Sequence, residues 1–211
     1  MQKGKIEGAV IVPEIQSLKV KNFGVFKDKV FNFSNRLNVI TGPNGTGKTT
    51  ILTAIRYILK GIPEDKRFMN KKSKLEINLN RNILSADGKK YLYFLNKLKA
   101  EEVKGTFEYD QPVKKSTLAL GDYRLFKLTE LLDYYDSLAG NYALLIDDFC
   151  TRLDKEKREK VIEKLEGIRK QVIVATPHSI EKEIPERQGD KKITLEYDGQ
   201  KVTVKEKFHT G

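Results

Sequence analysis

Apolar and polar positions along this chain fall in short blocks that switch between a strand-like period of two and a helical period. Leu18 and Val20 alternate with Lys19 and Lys21, and after Asn22-Phe23-Gly24 the chain resumes as Val30-Phe31-Asn32-Phe33, which predicts two strands joined by a turn. Residues 1–13 read as a loose lead-in ending at Pro13. Leu37-Asn38-Val39-Ile40 has the look of a buried strand. Beyond a glycine-rich turn, Ile51, Leu52, Ala54, Ile55, Ile58 and Leu59 stripe one face of a helix that starts at Lys48 and ends at Gly61-Ile62-Pro63.

From Leu75 to Leu95 the pattern predicts a hairpin turning at Asp87-Gly88. The stretch from Asn96 to Lys115 is lysine-rich and aperiodic, so an exposed connection is expected there. A helix follows from Gly121, with Leu125, Leu128, Leu132 and Tyr135 on one face and Ala139-Gly140-Asn141 closing it. Tyr142-Ala143-Leu144-Leu145-Ile146 is a short apolar run that ends in Asp147 and Asp148. A second helix is expected from Lys155 to Lys170, with Val161, Ile162, Leu165 and Ile168 buried. Gln171 to Thr176 is strand-like and stops at Pro177-His178-Ser179. Ile193 to Tyr197, Asp198-Gly199, then Val202 to Val204 form a last hairpin. No heptad run and no internal repeat is evident.

The 211 residues suit one domain with a substantial core. Lys and Arg number 40 against 29 Asp and Glu, a net charge of +11, which favours nucleic acid or another polyanion as partner. Lys66, Arg67, Lys71, Lys72 and Lys74 lie close together and suit a solvated loop or a polyanion contact equally. The single cysteine, Cys150, excludes an intramolecular disulfide and fits a reducing, cytoplasmic compartment. No apolar run approaches a membrane span, so no membrane association is expected, and Met-Gln-Lys-Gly-Lys at the start lacks a signal-peptide core.

The glycine-rich turn changes the picture most. Gly42-Pro43-Asn44-Gly45-Thr46-Gly47-Lys48-Thr49, followed by Thr50, fits the phosphate-loop pattern at every fixed position. Glycines let backbone N–H groups approach phosphate, and Lys48 is expected at the β and γ oxygens. Thr49 offers a hydroxyl to Mg²⁺. A parallel strand ending in Asp147 and Asp148 would place acids near that loop. Asp147 is then the candidate for the Mg²⁺ hydration shell and Asp148 for polarising an attacking water. Taken alone, His178 at a strand end is read as structural.

These pieces together resemble the ABC-type ATPase heads of the SMC and RecF group, which act on DNA. The likeness runs from Leu18 to about His178. Leu18 to Leu52 resembles that group's N-terminal lobe and Walker A loop, and Leu144 to Phe149 resembles its Walker B segment, with an Asp-Asp pair closer to RecF. Thr151-Arg152-Leu153-Asp154 sits where the D-loop follows, and Val172 to Ser179 where the switch histidine lies.

The resemblance implies an α/β P-loop fold: a mostly parallel core sheet flanked by helices, with an antiparallel N-terminal lobe. It implies one head domain over 1–211, divided into a lobe with Walker A (14–60), a variable hairpin and basic insertion (61–117), the signature-to-switch segment (118–180) and a C-terminal hairpin (181–211). It implies ATP and Mg²⁺ as cofactors and a dimer, with itself or a related head, that sandwiches ATP. Lys48, Asp148 and His178 become the expected catalytic groups, His178 as a γ-phosphate sensor. Leu118-Ala119-Leu120-Gly121-Asp122 matches the trans-acting signature, but Ala119 stands where a serine is usual, and Ser116 or Thr117 could supply a hydroxyl from a shifted register. No Gln occurs between Gln16 and Gln111, so the Q-loop glutamine is missing, with Asn78 or Asn80 as stand-ins. These departures, with Asp148 one methylene shorter than glutamate, imply a slow ATPase acting on DNA in repair, recombination or chromosome maintenance. The alternatives are a transporter ATP-binding subunit and a non-hydrolysing assembly module.

Overall fold

Two β-layers enclose one helix, and that helix carries the glycine-rich loop at its N-terminus. The computed structural model describes residues 3–4, 9–60, 68–79, 82–87, 111–112 and 120–210. In chain order the first strands are β1 (Lys3–Gly4), β2 (Ala9–Pro13), β3 (Ile15–Phe23), β4 (Phe26–Asn32) and β5 (Leu37–Gly42), followed by helix α1 (Lys48–Lys60). Then come β6 (Met69–Leu79), β7 (Asn82–Asp87), β8 (Gln111–Pro112), α2 (Leu120–Ser137) and β9 (Tyr142–Asp147). Helix α3 (Lys155–Gly167), β10 (Gln171–Pro177), β11 (Lys191–Tyr197) and β12 (Val202–Phe208) complete the order.

The central sheet runs β12-β11-β5-β10-β9-β2. Its β11–β5, β5–β10 and β10–β9 pairs are parallel, and both edge pairs are antiparallel. This is the mostly parallel α/β core expected. Every residue of β5 is buried, as a strand covered on both faces must be. One face packs on α1 and the second sheet, β4-β3-β6-β7; the other face packs on α2 and α3. Helix α1 is buried all round rather than on one face: Ile51 to Leu59 are all buried, Thr53 and Arg56 included. Each fully buried Ile or Leu of that helix contributes roughly 1.5–3 kcal/mol relative to an exposed position. The loop at its N-terminus is therefore mounted on a helix packed on all sides.

Three expectations need correction. Residues 9–13 are no loose lead-in: β2 pairs antiparallel with β9, Ile11 opposite Leu144, and Val10, Ile11 and Val12 are buried. Their apolar, β-branched run covers the open edge of the strand that ends in Asp147. The single strand expected before Asp87-Gly88 is two, because β6 and β7 pair antiparallel with Leu79 opposite Asn82 and Lys74 opposite Asp87, while the expected turn at Gly88 and its return strand, 88–95, lie outside the described residues. Inward-facing Leu75, Ile77 and Leu79 opposite Leu84 and Ala86 set that register. Helix α3 ends at Gly167, not Lys170, with Ile168 already extended.

The expected segments also share layers. Strands β6 and β7, from the stretch read as an insertion, complete the antiparallel lobe begun by β3 and β4. The C-terminal hairpin joins the central sheet, β11 lying parallel to β5. The expected connection from Asn96 to Lys115 lies, but for Gln111 and Pro112, outside the described residues.

Candidate functional site

The loop from Gly42 to Gly47 joins the C-terminal end of β5 to the first turn of α1. Gly42 has φ +150°, and a Cβ there would lie 2.4 Å from the Leu195 carbonyl oxygen, so no other residue fits. Thr46 donates its hydroxyl to the Pro43 carbonyl at 2.9 Å and closes the loop on itself. The Lys48 ammonium reaches back across it, donating to the carbonyls of Gly42 (2.7 Å) and Pro43 (2.9 Å). Burial pushes this ammonium below its ordinary pKa, against the opposing pull of Asp147 and Asp148.

Strand β9 does not adjoin β5; β10 lies between them, with Ala175 opposite both Ile40 and Asp147. That one-strand gap sets Asp147 across from the loop rather than beside it. The Thr49 hydroxyl donates to Asp147 Oδ1 at 3.3 Å. Burial raises the Asp147 carboxyl above the usual carboxylate range, and the Thr49 bond partly offsets this. Asp148 follows with φ +49°, a left-handed conformation uncommon outside glycine. Its backbone is held on both sides: its N–H donates to Ala175 O at 2.9 Å, and Arg124 Nη2 donates to its carbonyl at 2.7 Å. The Thr151 hydroxyl hydrogen-bonds the Asp148 carboxylate.

These groups meet in one cleft of about 440 Å³, walled by Asn44, Gly45, Gly47, Lys48, Thr49, Thr50, Asp147 and Asp148. Val25 and Phe68 of the antiparallel lobe add an apolar rim that the sequence reading missed. Val25 lies in the tight turn between β3 and β4 and is 46% exposed, which only the folded chain shows. Among the described residues no cluster of three or more His, Cys, Asp or Glu could hold a metal. The donor set here is a hydroxyl and a buried carboxylate, which fits Mg²⁺ that keeps its waters and takes phosphate oxygens.

The remaining predicted residues lie outside the cleft wall. Leu120, Gly121 and Asp122 form the first turn of α2, with Leu120 57% exposed; Ala119, Leu118, Ser116 and Thr117 lie outside the described residues. A Cβ on Gly121 would meet the Arg152 carbonyl oxygen at 2.9 Å, so this turn packs backbone to backbone on the segment 151–154. Lys157 ties the two together, pairing with Asp122 at 3.0 Å and Asp154 at 2.7 Å. Asp154 caps α3, accepting from the Lys157 N–H at 2.9 Å, and its bonds to Lys157 hold its carboxyl below the usual range. His178 sits in the turn after β10, 61% exposed, with Nδ1 2.6 Å from Glu181 Oε2. Asn78 lies on β6 opposite Ile83 and does not line the cleft; Asn80 is outside the described residues. Arg124 and Glu181 were not foreseen, nor was the bond from Thr151 to Asp148, since each acts through a contact that only the folded chain creates.

Comparison with known proteins agrees with this geometry. The AAA domain family matches residues 17–209. The chain is 28% identical over 166 residues to the chromosome partition protein Smc of Thermoplasma acidophilum, covering 73% of this chain. It is 40% identical over 60 residues, 26% of this chain, to the DNA replication and repair protein RecF of Prosthecochloris aestuarii. It spans 14% and 16% of the lengths of these two relatives. Its fold is like that of the SMC head domain from Thermotoga maritima, with a TM-score of 0.62 and 15% identity over 91% of this chain and 98% of that one. The chain belongs to the AAA domain family, as an ABC-type ATPase head of the SMC and RecF group.

Proposed function

We propose that this head binds ATP with Mg²⁺, hydrolyses it slowly, dimerises through the nucleotide and binds DNA in repair, recombination or chromosome maintenance. The observation that carries the reading is the meeting of Lys48, Thr49, Asp147 and Asp148 in one cleft at the N-terminus of α1. Backbone N–H groups of the loop and the helix dipole attract the phosphates, and Lys48 leaves its two carbonyl partners to neutralise the β and γ oxygens. Thr49 and Asp147 would hold Mg²⁺, which when bound draws charge from the phosphates. Val25 and Phe68 offer the nucleoside an apolar surface.

Asp148 orients the attacking water. Its carboxylate is already engaged by Thr151 and is shorter than glutamate, which supports slow turnover. The exposed first turn of α2, from Leu120 to Asp122, meets the γ-phosphate held by a second head, with Asp154 nearby, and His178 acts as a γ-phosphate sensor. The net charge of +11 and the names of the relatives, a chromosome partition protein and a DNA replication and repair protein, support DNA as partner, and the single cysteine fits a reducing cytoplasm as location. No helix among the described residues is long and apolar enough to cross a membrane. The Asp148–Thr151 contact also favours a second reading, an ATP-driven assembly module without turnover.

The test is ATP turnover with and without duplex DNA, for the parent and for Lys48→Ala. Slow turnover that DNA stimulates and Lys48→Ala abolishes is expected. Turnover unchanged by Lys48→Ala would defeat the proposal, and ATP binding with no turnover would leave the assembly reading.

A further inference from the structure

Past the end of β10 lies a buried carboxylate that the chemistry above does not use. Glu181 opens the short 3-10 helix Glu181–Glu183 and is only 9% exposed. An acid so placed needs partners to stay charged. It has three. Thr41 donates its hydroxyl to Oε2 at 2.9 Å, the Lys192 ammonium pairs with Oε1, and His178 Nδ1 lies 2.6 Å from Oε2. Thr41 directly precedes Gly42, and Lys192 stands on β11 opposite Val39 of β5. The carboxylate is thus anchored to the strand that feeds the phosphate loop and to its neighbour, while the imidazole stays 61% exposed.

We infer that Glu181 is a positioning residue for His178, fixing the ring so that it meets a γ-phosphate as a doubly protonated imidazolium; this rests on the sensor reading of His178. A ring nitrogen and a carboxylate oxygen 2.6 Å apart require a proton between them, because two lone pairs repel. With that proton on Nδ1, the neutral ring presents a bare Nε2, which repels phosphate oxygens. Contact with the γ-phosphate therefore takes up one proton from solvent onto Nε2, and that proton returns to solvent when the phosphate leaves. Glu181 supplies the countercharge for the imidazolium. The other charged groups around it are already engaged. Lys192 also faces Glu186 at 3.7 Å, Glu186 binds Lys207 and His209, and Glu183 is paired with Arg158.

The chain has two histidines, so nitrogen-15 NMR of histidine-labelled protein reads the ring directly, with His209→Asn assigning the signals. The parent without nucleotide should show His178 protonated on Nδ1. A non-hydrolysable ATP analogue with Mg²⁺ should add the second proton, and ADP should not. Glu181→Gln keeps the side-chain size and an acceptor for Thr41 but removes the charge. Its ring should move to the Nε2-protonated form and gain no second proton with the analogue. Its kcat should fall about tenfold with KM changed less than about twofold, the pattern of an interaction made mainly in the transition state. An Nε2-protonated ring in the nucleotide-free parent, or a Glu181→Gln spectrum equal to the parent's, overturns the role of Glu181 and leaves the sensor reading standing. A parent ring unmoved by the analogue at saturation, with occupancy followed by phosphorus NMR, overturns the sensor reading and this inference together.

Discussion

Gly42, at the start of the phosphate loop, and Cys150, against Thr176 of the cleft wall, show how tightly single residues are packed around the cleft. Gly42→Ala would drive a methyl group into the Leu195 carbonyl at a φ that side chains rarely adopt, so we expect a loss of about 2 kcal/mol or more in denaturant unfolding. A variant as stable as the parent would show that β11 yields there. Cys150 is buried, with Sγ 3.4 Å from the Thr176 hydroxyl, and burial pushes its thiol up to about 11. A raised thiol pKa means the thiolate, the reactive form, is scarce at neutral pH and gains only as pH climbs towards that value. An aromatic disulfide reagent should therefore label Cys150 only after unfolding, and rapid labelling of the native protein would contradict the burial. The phosphate loop and the Asp147-Asp148 pair were legible in the sequence because their residue types answer to local chemistry. Glu181 was not, although its i+3 spacing from His178 was in view, because only its burial shows that the pairing matters.

At the scale of elements, Gln171 joins the two sheets. Its side chain accepts from the Ile15 N–H at 2.8 Å and donates to the carbonyls of Ile15 and Ser34 at 2.7 Å each, at 2% exposure. Gln171→Leu leaves those three backbone groups buried without that partner, and we expect a destabilisation of roughly 2–4 kcal/mol. Differential scanning calorimetry measures it, and an unshifted melting temperature would refute it. Helices α1, α2 and α3 were readable from periodicity, since each sets an apolar face within a few residues. Strand order was not. Nothing local says that β10 separates β5 from β9, or that Ala9-Val10-Ile11-Val12 closes the far edge. The break between β6 and β7 was not legible either, since the alternation of Leu75, Ile77 and Leu79 continues into Leu84 and Ala86 without a turn signal.

For the whole molecule, the exposed first turn of α2 is tied through Lys157 to Asp154, and through Arg124 to the backbone of Asp148. A second head that engages this turn would therefore press on the residues proposed to orient water in the first. The +11 charge adds a prediction: duplex DNA affinity should fall steeply with salt, and more steeply with ATP, as two basic surfaces join. A salt slope unchanged by ATP would separate DNA binding from head closure. The most direct measurement of the central claim is the sedimentation of Asp148→Asn with ATP and Mg²⁺. The account predicts a stable dimer that does not turn over, because the nucleotide is bound but its water is no longer oriented. A monomer at saturating ATP would contradict it.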